Sequence, residues 1–61
     1  MKRAQLLSHL KKYGCIIIRN GSNHDIYQNP ANGKISAIGR HAELDNLYCR
    51  IICKQLQIPV I

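Results

Sequence analysis

The sequence predicts a small α+β domain of order α-β-β-β-α: a three-stranded antiparallel sheet with two helices on one face. Three observations lead there. Apolar residues recur at helical spacing in the first and last quarters of the chain. Between them lie three short runs of strand-forming residues separated by compact turn chemistry. The whole is 61 residues, one domain over 1–61, and a chain this short buries only about 60% of its unfolded surface. Two layers are therefore the expected limit, and a large cavity or a dinucleotide cofactor is not expected.

The first helix is expected from about Lys2 to Tyr13. Leu6, Leu10 and Tyr13 fall at i, i+4 and i+7, with Leu7 widening the stripe. Lys2, Arg3, Lys11 and Lys12 lie largely outside it, which gives a basic outer face. Gly14 suits a left-handed helix exit. His9, next to Leu10, reads as a surface or rim residue.

The first strand, Cys15 to Arg19, carries three consecutive isoleucines, and β-branched residues favour strands. Ile17 is assigned to the core, so Ile17→Asp is expected to unfold the domain. Asn20-Gly21 supplies a turn, as both residues tolerate positive φ. His24 to Gln28 forms the second strand, Asn29 to Gly33 the next turn, and Lys34 to Ile38 the third strand. In that third strand Ile35 and Ala37 alternate against Ser36. Short strands joined by short turns make an antiparallel meander.

Gly39 to Leu44 is a loop with Arg40 and His41. Asp45 can cap a second helix that runs to about Leu56. Tyr48, Ile52 and Leu56 form its stripe, flanked by Cys49 and Cys53, and Pro59 prevents continuation.

Composition narrows the function classes. Nine Lys and Arg against three Asp and Glu give a formal charge of +6, which attracts polyanions. At 46% hydrophobic the chain is too apolar for a disordered basic tail. The longest apolar run, Cys15 to Ile18, is far below the ~20 residues of a membrane span. The basic N-terminal segment lacks the apolar stretch of a signal peptide. The expectation is a soluble, cytoplasmic protein with no membrane partner.

Chemistry must then come from few residues. Asp25, Glu43 and Asp45 are the only acids, and no paired-carboxylate site is visible. There is no phosphate-binding glycine loop. Cys15, Cys49 and Cys53 make an odd count without framework spacing, so they read as small buried hydrophobes. A zinc half-site at Cys49 and Cys53, completed by Cys15 or a histidine, lacks the usual tight pairing, and no metal is expected. The histidines remain. An imidazole has an ordinary pKa near ~6.5, so it can take or give a proton at neutral pH. His24 enters the second strand, where the sheet can hold it. His41 follows Arg40, pairing a fixed cation with a second proton carrier. Alternation puts His24 on one face with Ile26 and Gln28. Inward Ile26 would leave His24 at the rim; inward Tyr27 would leave it on the open face.

These residues carry a resemblance. Asn20-Gly21-Ser22-Asn23-His24-Asp25-Ile26-Tyr27 is similar to the glycine-serine-histidine segment of HicA-type toxins. Ile38-Gly39-Arg40-His41-Ala42-Glu43-Leu44 resembles that family's Ile-Pro-Arg-His-x-Glu-Ile block. Arg50, Ile52, Lys54, Gln55 and Leu56 resemble its closing helix, and the opening helix with its Tyr13-Gly14 exit fits too. One departure is Gly39 where many members carry proline, which loosens the loop by removing a fixed φ.

The resemblance implies a fold like a double-stranded RNA-binding domain and a metal-independent endoribonuclease acting on mRNA as a toxin. It implies neutralisation by a HicB-type antitoxin that covers the active surface, and no small-molecule cofactor. His24 is matched to the family's catalytic histidine. Around it, Arg40 and Lys34 are expected to contact phosphate, His41 to assist, and Gly21 and Ser22 to orient His24 or bind the RNA backbone. The rival readings are a non-catalytic double-stranded RNA-binding module and an inactive toxin-like interaction domain. The first fits poorly, because Glu43 and Asp45 occupy the start of the second helix, where a phosphate grip needs lysines.

Overall fold

The computed structural model describes residues 1–61. Helix α1 spans Arg3–Lys12, strands β1, β2 and β3 span Ile16–Asn20, His24–Asn29 and Lys34–Gly39, and helix α2 spans Asn46–Leu56. The sheet order is β1-β2-β3, all antiparallel, so β1 and β3 are the two edges. Both helices lie on one face, as the alternating pattern requires. No helix is long and apolar enough to cross a membrane.

Local chemistry sets the element ends. Gly14 adopts φ +83° after α1, the left-handed exit that a side chain resists. Asp45 caps α2 by accepting from the Leu47 N–H at 2.7 Å. The Asn29 side chain donates to the Leu56 carbonyl at 2.8 Å, tying the second turn to the end of α2.

The core is Leu6 and Leu10 of α1, Ile38 of β3, Cys49, Ile52, Cys53 and Leu56 of α2, with Cys15, Leu44 and Ile58 at its margins. The three thiols pack as small apolar groups. Burial pushes the Cys15 and Cys49 thiols up. His9 lies at the surface, with Nε2 2.6 Å from the Pro59 carbonyl and its ring edge-on to Tyr13.

One strand assignment differs from the sequence expectation. Ile17 is not a core residue: Ile16, Ile17 and Ile18 keep 50, 46 and 47% of their surface exposed. The edge strand β1 reaches past the cover of the helices, and a bulge between Ile17 and Arg19 twists it further. In β3 the expected alternation is present, and the structure supplies its phase. Ser36 and Ile38 point inward and Ile35 and Ala37 outward: Ile38 enters the core, and the Ser36 hydroxyl on the same face finds the Gln55 side chain at 2.6 Å on α2. A satisfied hydroxyl tolerates burial.

Residues 1–3 are bonded to the 42–44 segment. Arg3 N–H donates to the Ala42 carbonyl at 2.9 Å and Leu44 N–H to the Met1 carbonyl at 2.8 Å. The loop after β3 is therefore anchored to the start of α1.

Candidate active site

β2 alternates about its first residue. Asp25, Tyr27 and Asn29 turn toward the helices; Tyr27 packs on the core. His24 is exposed on the open face with Ile26 and Gln28, which resolves the choice left by the sequence. Before it, the Gly21 N–H donates to the His24 carbonyl at 2.8 Å. A Cβ on residue 21 would stand 2.7 Å from that oxygen. Glycine is required at this turn by close approach; positive φ occurs at neither Asn20 nor Gly21.

Asp25 is the hub of the site. Its side chain is 12% exposed and lies between two guanidinium groups, Arg3 Nη2 at 2.7 Å on one oxygen and Arg40 Nη2 at 2.7 Å on the other. Arg40 bonded to the carboxylate, and Arg3 beside it, hold its pKa below the usual carboxylate range despite desolvation. Arg40 also donates from Nε to Asp25 at 3.1 Å, from Nη1 to the Ser22 carbonyl at 2.9 Å, and from Nη2 to the Gly21 carbonyl. Arg3 Nε reaches the Gly39 carbonyl at 2.9 Å. One carboxylate thus joins α1, the 21–22 turn, β2 and the loop after β3.

The result is a shallow polar cleft of about 250 Å³, lined by Ser22, Asn23, His24, Gly39, Arg40 and His41. His24 pairs with Gly39 across the β2–β3 ladder. The two imidazoles flank that glycine: a Cβ there would lie 3.7 Å from His41 Cδ2 and 3.9 Å from His24 Cδ2. Gly39 is held on both sides, since its N–H donates to the Tyr48 hydroxyl at 3.2 Å and its carbonyl accepts from Arg3. The loosening expected from the missing proline is offset by these bonds, the first of which a proline would lack.

Five of the six expected site residues, Gly21, Ser22, His24, Arg40 and His41, are brought together. Lys34 is not. It pairs with Asn29 at the opposite end of the β2–β3 ladder, about 17 Å from Gly39 at strand rise. The expectation for Arg40 also changes. A guanidinium has five N–H donors, and four hydrogen bonds already engage them within the protein. Arg40 builds the cleft more than it lines it with free charge. Sequence reasoning missed Asp25 and Arg3. The available signal was a lone acid inside a strand of a +6 chain, since a carboxylate turned inward needs cationic partners. No three His, Cys, Asp or Glu side chains converge as a metal-binding set.

A family model described as the HicA toxin of bacterial toxin-antitoxin matches residues 3–58, a span containing every helix and strand and the whole cleft. No curated protein and no solved structure matches the chain.

Proposed function

This chain belongs to the HicA toxin family of toxin–antitoxin systems, and on that premise we propose that it is a cytoplasmic endoribonuclease that cleaves mRNA by histidine acid–base catalysis and is neutralised by a HicB-type antitoxin. The observation that carries this reading is the exposed His24 on the open sheet face, with His41 across Gly39 in one polar cleft.

RNA brings its own nucleophile, the 2′-hydroxyl. One imidazole takes its proton as the 2′-oxygen attacks the adjacent phosphorus. The bond from phosphorus to the 5′-oxygen breaks, and the other imidazole returns a proton to that oxygen. The products are a 2′,3′-cyclic phosphate and a 5′-hydroxyl. Each positioned proton carrier contributes about 10²–10⁴-fold. Gly21 and Ser22 act through their carbonyls, which seat Arg40 and fix the turn before His24. Lys34 and the exposed Arg50 of α2 add an electrostatic attraction for the RNA backbone that falls with salt.

The test is cleavage of an end-labelled mRNA by wild type and His24→Ala, both in excess chelator, with circular dichroism to show that each is folded. Cleavage by wild type alone, leaving cyclic-phosphate ends, is expected. Equal cleavage by a folded His24→Ala protein, or intact RNA with a folded wild type, refutes the proposal.

A further inference from the structure

The cleft leaves unexplained the other conspicuous surface of the molecule. β1 is bonded on one side only, and its other edge faces no protein. Its first three residues are isoleucines, each about half exposed. Beside it lies a groove of about 420 Å³ between α1 and β1, lined chiefly by Leu7, Lys11, Cys15, Ile17 and Tyr27. Natural edge strands are guarded by prolines, charges or bulges. Here the bulge and Arg19 guard only the second half of β1, and Ile16 and Ile17 stand before them.

The charges around this edge have one sign. Lys11 lines the groove, Lys12 follows it on α1, and Arg19 lies on β1 itself. The nearest acid along the sheet, Asp25, is already held by Arg3 and Arg40. A second copy of a +6 chain would set lysine against lysine at this edge. A nucleic acid would find a single aromatic ring, Tyr27, among aliphatic side chains, where stacking successive bases needs several aromatic faces. An extended polypeptide with acidic side chains matches both the open ladder and the cationic rim.

We infer that the free edge of β1, with the groove between β1 and α1, receives an extended acidic segment of the antitoxin as a fourth strand of the sheet. This rests on the reading of the chain as a toxin with a protein antitoxin. Backbone pairing along Ile16 and Ile17, ahead of the bulge, gives the register, and alternate apolar side chains of the segment enter the groove over Ile17 and Tyr27. The surface is separate from the His24 cleft.

The experiment compares wild type with Ile17→Lys, which puts a cation into the groove at a half-exposed position. Binding to the purified HicB-type antitoxin is titrated, and RNA cleavage and RNA affinity are measured on the same proteins. Amide exchange of the wild-type complex is followed in parallel and needs no variant. Expected are a loss of antitoxin affinity of about tenfold to hundredfold, unchanged cleavage, RNA affinity no weaker than that of wild type, and slowed exchange of β1 amides in the complex. A complex that forms equally well with Ile17→Lys and leaves β1 exchange unslowed overturns this surface while the toxin reading stands. A wild-type chain that dimerises alone through β1, or an Ile17→Lys protein with weakened RNA binding, assigns the edge to another occupant and overturns it too. Failure of wild type to bind the antitoxin, with cleavage intact, removes the antitoxin reading and this inference together.

Discussion

Ile17 and Ile38 are the same residue type in two environments, and exchanging each for alanine separates them by energy. Ile38 is fully buried. Truncating such a side chain removes its transfer energy and leaves a cavity, a cost of about 2–5 kcal/mol. A chain of 61 residues has about 3–9 kcal/mol of total stability at ordinary values per residue. Ile38→Ala therefore removes about half of the stability of the domain. Ile17 keeps 46% of its surface exposed. It realises only about half of the roughly 1.5–3 kcal/mol of a fully buried side chain, so Ile17→Ala costs about 1 kcal/mol. At about 4–8 °C per kcal/mol, that is a small shift in melting temperature. Ile17→Asp adds only a strand-propensity penalty, because its carboxylate stays in water, and the protein remains folded. Urea and thermal unfolding followed by circular dichroism measure all three. Equal losses for Ile17→Ala and Ile38→Ala would show that β1 is covered, and the case for an open edge would fall.

The site gives three further predictions. Asp25 has a lowered pKa in the folded protein, so its contribution to stability is present above the ordinary 3.8 and is lost as pH falls through the depressed value. Acid titration of unfolding should show that loss in wild type, and Asp25→Asn should flatten it; parallel curves would remove the ion pairs from the stability of the fold. Arg40→Lys cannot span Asp25 and two carbonyls with one ammonium group, so RNA cleavage should fall at least tenfold while the salt slope of RNA binding is kept. Full activity in Arg40→Lys would show that the four bonds are dispensable. Gly21→Ala puts a carbon 2.7 Å from the His24 carbonyl oxygen and should cost about 1–3 kcal/mol, read by urea unfolding, together with cleavage activity. An unaffected melting curve would mean that the turn relaxes freely.

Periodicity made the helices and the meander legible because each helix buries one stripe and each strand ends at turn chemistry. Asp45 as a cap and the Ile52–Leu56 stripe are local facts, and they appear as expected. The phase of β3 was not local. Ser36 goes inward on the face of the core residue Ile38, and Gln55, nineteen residues later, supplies the partner its hydroxyl needs there. β1 was illegible for a different reason: an isoleucine run is apolar on both faces, and only the tertiary placement of the helices decides which face is covered. The cleft was legible as residues and not as roles. Arg40 looked like a free cation until Asp25 and two backbone carbonyls were found to occupy it.

The period-two alternation of β2 explains how so small a domain can fix an exposed histidine. Neighbouring residues on a strand face opposite ways. Asp25 points to the helix side, where Arg3 and Arg40 lock it, and His24, one residue earlier, is thereby held on the solvent side. Arg40 spans both sides, lining the cleft while it holds Asp25, so the imidazole is positioned without being buried. The same arrangement divides affinity from cleavage. Arg3 and Arg40 are committed to structure, which leaves RNA attraction to the lysines and arginines spread over other surfaces, Lys34 at the far end of β3 among them. Removing Lys34 should then weaken RNA binding and lower its salt dependence without touching the bound-state cleavage rate, whereas removing the Asp25–Arg40 pair should do the reverse.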